Sequence, residues 1–332
     1  MVSVKKFVVF IFFLLGLTIF LSIENGAVDI SLTDIFYSND NTLNNYVLLN
    51  IRLPRLVMGL VVGASLSICG ASMQGLFRNP LADPGLIGIT SGATLAVGIV
   101  IVLFPALLGG IIGLYALSIA AFSGAMITAL IITIIARKSN QLSIVHVLLC
   151  GIAINAIAGS LTGLLTYFST DDQLRTLTFW TMGSISGSMW SQVIVCSSLV
   201  IPCLIIIHKC AVGLNLLSLG EESAVHTGLD YQKLKLCILI TVSITVGACV
   251  AVSGFIGFIG LVVPHIIRQF IGPNHKILLP ISSLLGATLL VISDLTARII
   301  IAPAEMPVGL ITSTIGGPIF LFMVIKQFSR GQ

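Results

Sequence analysis

The sequence predicts an all-α polytopic membrane protein: about ten transmembrane helices with an inverted internal repeat, the second to fifth against the seventh to tenth. Three observations predict it. Only 8% of the 332 residues are Asp, Glu, Lys or Arg, against about 25% in soluble domains, while 57% are hydrophobic and the mean hydropathy is +1.13. Apolar runs recur along the whole chain, each close to the roughly 20 residues that a bilayer-crossing helix needs. The text also repeats itself. GASLSICG at 63–70, nine residues and then Pro80 is echoed by GACVAVSG at 247–254, nine residues and then Pro264. Gly92-Ala93-Thr94-Leu95 recurs, at a longer spacing, as Gly286-Ala287-Thr288-Leu289.

The elements follow in order. Spans are expected at 6–23, 54–77, 86–104, 110–136, 142–168, 190–209, 235–254, 256–271, 279–300 and 308–327. The first run follows Lys5 and Lys6 like a signal peptide, but its exit, Ser22-Ile23-Glu24-Asn25-Gly26, offers no A-x-A site, so it reads as a retained helix. A polar stretch at 24–51, with Glu24, Asp29, Asp34 and Asp40, forms the loop before the second span. Between the sixth and seventh spans lies a second polar stretch, 211–234, with apolar residues at helical spacing (Leu214, Leu217, Leu219, Ala224) and breaks at Gly220 and Gly228. It reads as two short helices on the membrane face. At that length it exceeds the usual 2–8 residue connection, which points to a docking partner.

An even span count puts both termini on one side. With Lys5 and Lys6 inside, Arg78, Arg137, Lys138, Lys209, Lys233, Lys235, Arg268, Lys276, Lys326 and Arg330 are inside too; of the 16 basic residues only Arg52, Arg55, Arg175 and Arg298 are outside. That asymmetry has the sign of the positive-inside rule and sets both termini in the cytoplasm. The second and seventh spans are an odd number of crossings apart, so the two copies run in opposite directions. Inverted repeats place a pathway at their interface.

Ionisable residues inside the membrane are scarce. Asp294 and Arg298 stand four apart on the ninth span and can pair; Asp83 lies at the inner edge, in Arg78-Asn79-Pro80-Leu81-Ala82-Asp83-Pro84. The absence of a mid-span acid weighs against an ion-coupled carrier. No G-x-x-x-x-G-K-[ST] loop occurs, so an active transporter built on this chain needs a separate motor, and 211–234 is where it would push. Cys196, Cys203 and Cys210 share a helix face by their seven-residue spacing, but small apolar fillers are a better reading than a soft-metal stripe. His146, His226 and His265 have no partner at metal-ligand spacing. No catalytic grouping, metal site, cofactor motif or nucleic-acid motif emerges.

Arg52-Leu53-Pro54-Arg55, followed by the run from Gly63 through Met73-Gln74-Gly75-Leu76, Arg78-Asn79-Pro80-Leu81-Ala82-Asp83-Pro84 and Gly92-Ala93, resembles the permease family that imports iron-siderophores, haem and cobalamin. Gly257 to Arg268, Asp294 to Arg298, and Met306-Pro307-Val308-Gly309 through Gly316-Gly317-Pro318 are similar to the family's further landmarks, so the resemblance runs from about 45 to 327. Gly151-Ile152-Ala153-Ile154-Asn155-Ala156 and Asp171 to Trp180 most resemble haem permeases.

The resemblance implies one permease domain over 1–332 in the bacterial inner membrane. It implies a second permease copy, two ATP-binding ABC subunits inside, an extracytoplasmic substrate-binding protein outside, and haem or another iron chelate as cargo. A ferric siderophore or cobalamin is the runner-up cargo, and a stand-alone secondary carrier is the rival of a different class. Within 211–234 it assigns ATPase coupling to Leu216, Gly220, Glu221, Glu222 and Gly228. It assigns docking of the binding protein to Arg52, Arg55 and Arg298, expected at helix ends facing the outer water, where complementary charge sets register. Met73, Gln74 and Asn155, mildly polar without charge, are the candidates for the pathway.

Overall fold

The computed structural model describes residues 4–26, 42–137 and 144–328, and every regular element among them is a helix. We label them α1 (Val4–Glu24), α2 (Thr42–Val47), α3 (Leu53–Phe77), α4 (Ile89–Leu103), α5 (Gly110–Arg137), α6 (Ile144–Phe168), α7 (Asp171–Thr181), α8 (Trp190–Lys209), α9 (Ala211–Leu217), α10 (Glu221–His226), α11 (Tyr231–Ser253), α12 (Ile259–Ile271), α13 (His275–Ile299) and α14 (Val308–Phe328). Ten of these coincide with the ten expected spans. The loop acids Asp29, Asp34 and Asp40, with Lys138 and Arg330, lie outside the described residues.

Among the described residues, seven helices are long and apolar enough to cross a membrane, α4 and α12 are shorter apolar helices, and the stretch Val308–Met323 of the 21-residue α14 is apolar as well. At 13 residues, α12 reaches only about 20 Å at 1.5 Å per residue, short of the roughly 30 Å hydrocarbon core. Its approach is non-helical: α11 stops at Gly254 (φ 64) and α12 starts after Phe258 (φ 67). Irregular backbone at membrane depth must be covered by protein. Here it is covered by the turn after α7, where the Ser184 amide donates to Ser253 O at 2.8 Å and a side chain on Gly254 would overlap Trp180 O.

Packing shows the repeat. Helix α3 packs against α13 and α12, and its counterpart α11 packs against α5 and α4. At the centre α3 and α11 cross in opposite directions: Ser65 lies against the Cys249 thiol and Cys69 against Thr245. Gly63 and Gly247, matched by the text of the two blocks, hold matching places. A side chain on Gly63 would overlap the Gly286 carbonyl of α13, and one on Gly247 would lie 3.1 Å from Ala125 Cβ of α5. Small residues at such crossings replace the hydrophobic drive that lipid does not supply. The Gly-Ala-Thr-Leu echo is outside this register, since Gly92 is on α4 and Gly286 on α13, the partner of α5 in the repeat. Both are close-crossing glycines, and that shared demand accounts for the likeness.

Some helical elements were not foreseen. Helix α7 lies between α6 and α8, started by a capping box in which Thr170 and Gln173 exchange bonds, and anchored by the buried Leu177. A short α2 and a π-helical turn, Leu48–Arg52, lead into α3.

Candidate functional sites at the two ends of the bundle

At one end, Pro54 in the first turn of α3 sets Arg55 facing the last turns of α13. Arg55 Nε donates to both Asp294 oxygens at 3.0 Å, and its Nη1 donates to the two Glu305 oxygens at 2.9 and 3.0 Å. Arg298, one turn beyond Asp294, brings Nε to 3.2 Å from the same carboxylate. Its Nη2 donates to Ser22 Oγ at 2.6 Å, and its Nη1 to Ser22 O and Asn25 O at 3.3 and 3.4 Å. Arg52 donates to Ile23 O and, at 2.9 Å, to Glu24 O. The last turn of a helix leaves carbonyls without intrahelical partners, and Arg52 and Arg298 satisfy those of α1.

This corrects the expectation that the three arginines face open water. Arg52, Arg55 and Arg298 are 6%, 5% and 8% exposed, because unpaired carboxylate and carbonyl groups lie within their reach. Among the described residues at this end, the exposed charges include Glu305, whose side chain is 41% accessible, and Arg175 with Asp171 and Asp172 on α7.

The three pathway candidates are also drawn into packing. Met73 is fully buried in the core. Gln74 Nε2 donates to Gly260 O and Leu261 O at 3.4 and 3.2 Å, tying α3 to α12. Asn155 accepts from Ser91 Oγ at 2.6 Å and donates to Gly85 O at 3.5 Å, joining α6 to the start of α4. Gln74 and Asn155 are polar side chains that each serve a carbonyl or hydroxyl within the helix packing. The cysteine face of α8 packs on α11: Cys196 Sγ lies 3.8 Å from Ala248 O, and Cys210 Sγ 3.9 Å from Cys237 Sγ.

At the other end, α9 and α10 are the two short helices expected in 211–234, with turns at Gly220 (φ 115) and Gly228 (φ 84); α11 takes over at Tyr231. Both glycines adopt the positive φ that side chains resist. Leu216 is half-buried, Glu222 and Gly228 are exposed, and Leu219 and Val225 present apolar surface at 68% and 54% exposure. Glu221 is not free: it accepts from Tyr231 Oη at 2.6 Å and lies 3.9 Å from Arg78, the left-handed cap of α3. Lys235 Nζ sits 3.8 Å above the Tyr231 ring. Asn215 donates to Asn274 Oδ1 at 2.8 Å and accepts from the His275 amide at 2.8 Å, while His275 Nδ1 lies 2.9 Å from the same Asn215 oxygen. Sequence reasoning passed over Asn215, Tyr231 and His275, and placed Arg78 in a motif without giving it a partner. The one local signal was Asn274, an N-cap residue whose side chain accepts from the Lys276 amide.

Nearby, Asp83 accepts from the Gly85 amide at 3.0 Å. Burial pushes its carboxyl up to about 6, with the Gly85 bond pulling the other way.

Comparison with known proteins is consistent in one direction. Residues 14–326 match the model of the FecCD transport family. The hemin transport system permease protein HmuU of Yersinia pestis is 47% identical over 318 residues, covering 95% of each chain. The vitamin B12 import system permease protein BtuC of Vibrio vulnificus is 38% identical over 305 residues, covering 91% of this chain and 90% of the relative. A solved structure described as an inward-facing conformation of a metal-chelate type ABC transporter superposes with a TM-score of 0.86 at 31% identity, over 97% of this chain and 99% of that one.

Proposed function

Since the chain belongs to the FecCD transport family, we propose that it is the membrane-spanning permease subunit of an ATP-driven importer whose cargo is haem. As a member it is a multi-pass transport subunit of the inner membrane, and ATP is hydrolysed by a separate ATPase. The observation that carries the cargo is the greater identity to a hemin permease than to the vitamin B12 permeases. Cobalamin is the second reading, favoured by those same B12 relatives.

The geometry supports a division of labour. Inside, Leu219, Val225 and Glu222 form the exposed face on which an ATPase subunit docks, with Gly220 and Gly228 setting the turns and Leu216 and Glu221 fixing the platform to the bundle. Outside, docking of the binding protein works through exchange. Glu305 is the accessible member of the arginine network, so an incoming carboxylate competes with it for Arg55. Met73, Val62 and Val246 are buried in the core where α3 and α11 cross, and a cargo as broad as haem travels along an outer face, between this chain and a second copy.

The test is hemin uptake into vesicles holding the permease, its ATPase and its binding protein. Uptake that requires all three and ATP is the expected result. Cobalamin uptake in place of hemin moves the cargo to the second reading. Transport by the permease alone overturns the importer in favour of a stand-alone carrier.

A further inference from the structure

Helices α3 and α13 form one continuous contact from end to end. At the outer end Arg55 and Asp294 pair; in the middle Gly63 and Gly286 bring the backbones together; at the inner end His275 rests on Gly75, where any side chain would overlap its Nε2. His275 is 4% exposed, and its other nitrogen and its amide both meet the Asn215 oxygen. Asn215 belongs to α9, the first helix of the cytoplasmic platform. A single amide side chain therefore joins the platform to a helix pair whose far end carries the outer charge network. Its carbonyl oxygen faces the His275 amide and ring, and its NH2 bonds the cap residue Asn274. Glu221, on α10, makes the corresponding contacts to Arg78 of α3 and Tyr231 of α11.

Resting on the importer reading above, we propose that Asn215 is the positioning residue that makes α9 move as one body with α3 and α13, so that binding-protein docking outside is felt by the ATPase inside. Coupling needs elements that keep a fixed relation while both ends are biased. The apolar contacts of α9 supply adhesion, since Leu214 and Leu217 are fully buried. They do not fix its register, because apolar contact is non-directional, whereas a fork with three directed bonds does. The bond to Asn274 is exposed and worth little by itself; the two to His275 are part-buried and reach a buried residue at the helix start.

The test uses the complete importer in lipid nanodiscs, reading ATP hydrolysis with and without hemin-loaded binding protein. Asn215→Leu keeps the size of the side chain and removes all three bonds. The expected result is unchanged basal hydrolysis, with stimulation by the binding protein reduced about fivefold or more, the lower end of common coupling factors. Asn215→Asp keeps the accepting oxygen for His275 and restores most of the stimulation. Gly75→Ala attacks the same joint from the opposite helix by unseating His275, and reproduces the Asn215→Leu phenotype. A merely structural role would lower assembled complex, basal and stimulated rates in the same proportion. An unchanged ratio of stimulated to basal rate in both Asn215→Leu and Gly75→Ala overturns the proposal. A wild-type complex that ignores its binding protein overturns the importer reading itself, and the proposal falls with it.

Discussion

Asp294 serves two guanidinium groups at once, and that sharing sets what its loss would do. With Glu305 it balances Arg55 and Arg298, two positive against two negative charges in a region only 2–8% exposed apart from Glu305. Removing one partner of a buried pair leaves an uncompensated charge, at a cost of about 3–5 kcal/mol, whereas an accessible ion pair contributes about 0–1 kcal/mol. Asp294→Ala should therefore lower the thermal midpoint of the purified permease sharply, and Glu305→Gln should leave it nearly unmoved; equal shifts would contradict the network. Asp83 gives a pH-dependent case. Its folded pKa is raised to about 6, above the unfolded value of about 3.9. Its contribution to stability is thus full below about pH 4 and is lost as pH rises through about 6. Asp83→Asn keeps an oxygen for the Gly85 amide and cannot ionise. Its midpoint should exceed wild type above about pH 6 and converge with it below about pH 4, given those two values.

At the scale of elements, close crossings decide. A methyl on Gly70 would overlap the Gly260 carbonyl of α12, while one on Gly16 of α1 meets nothing within 4 Å. Gly70→Ala should sharply reduce folded permease in membranes, measured by the monodisperse fraction in mild detergent, and Gly16→Ala should not. The same distinction explains what was legible in the sequence. The spans were, because a run of some 20 apolar residues has few alternatives in a bilayer, and Gly220 and Gly228 gave away the two platform helices. The roles of Arg52 and Arg55 were not. A charge at a helix end announces proximity to water, but its partners, Glu24 O and Asp294, come from elements 28 and 239 residues away. Gln74 and Asn155 are ambiguous for a related reason: a polar residue on an apolar helix suits a pathway or a buried carbonyl equally well. Helix α7 was legible in principle through Thr170 and Gln173, but it lacks the apolar length on which the spans were found.

For the whole molecule, the alternation of ten spans counted from Lys5 and Lys6 predicts that the C-terminus lies in the cytoplasm. A fluorescent protein fused after Gln332 should fluoresce and an alkaline phosphatase fused there should be inactive; the reverse pair of results would invert the orientation. The glycine crossings of α3 with α13 and α12 also have a consequence for the energy economy of the membrane. Where two backbones touch, as Gly63 does Gly286 and Gly70 does Gly260, no file of water threads between the helices, and protons have no wire to hop along. At these crossings the chain is in this respect an insulator. On the importer reading proposed above, a route wide enough for a bulky cargo need not short-circuit the proton gradient through these crossings, and the seam between two chains is where a leak would have to be guarded against.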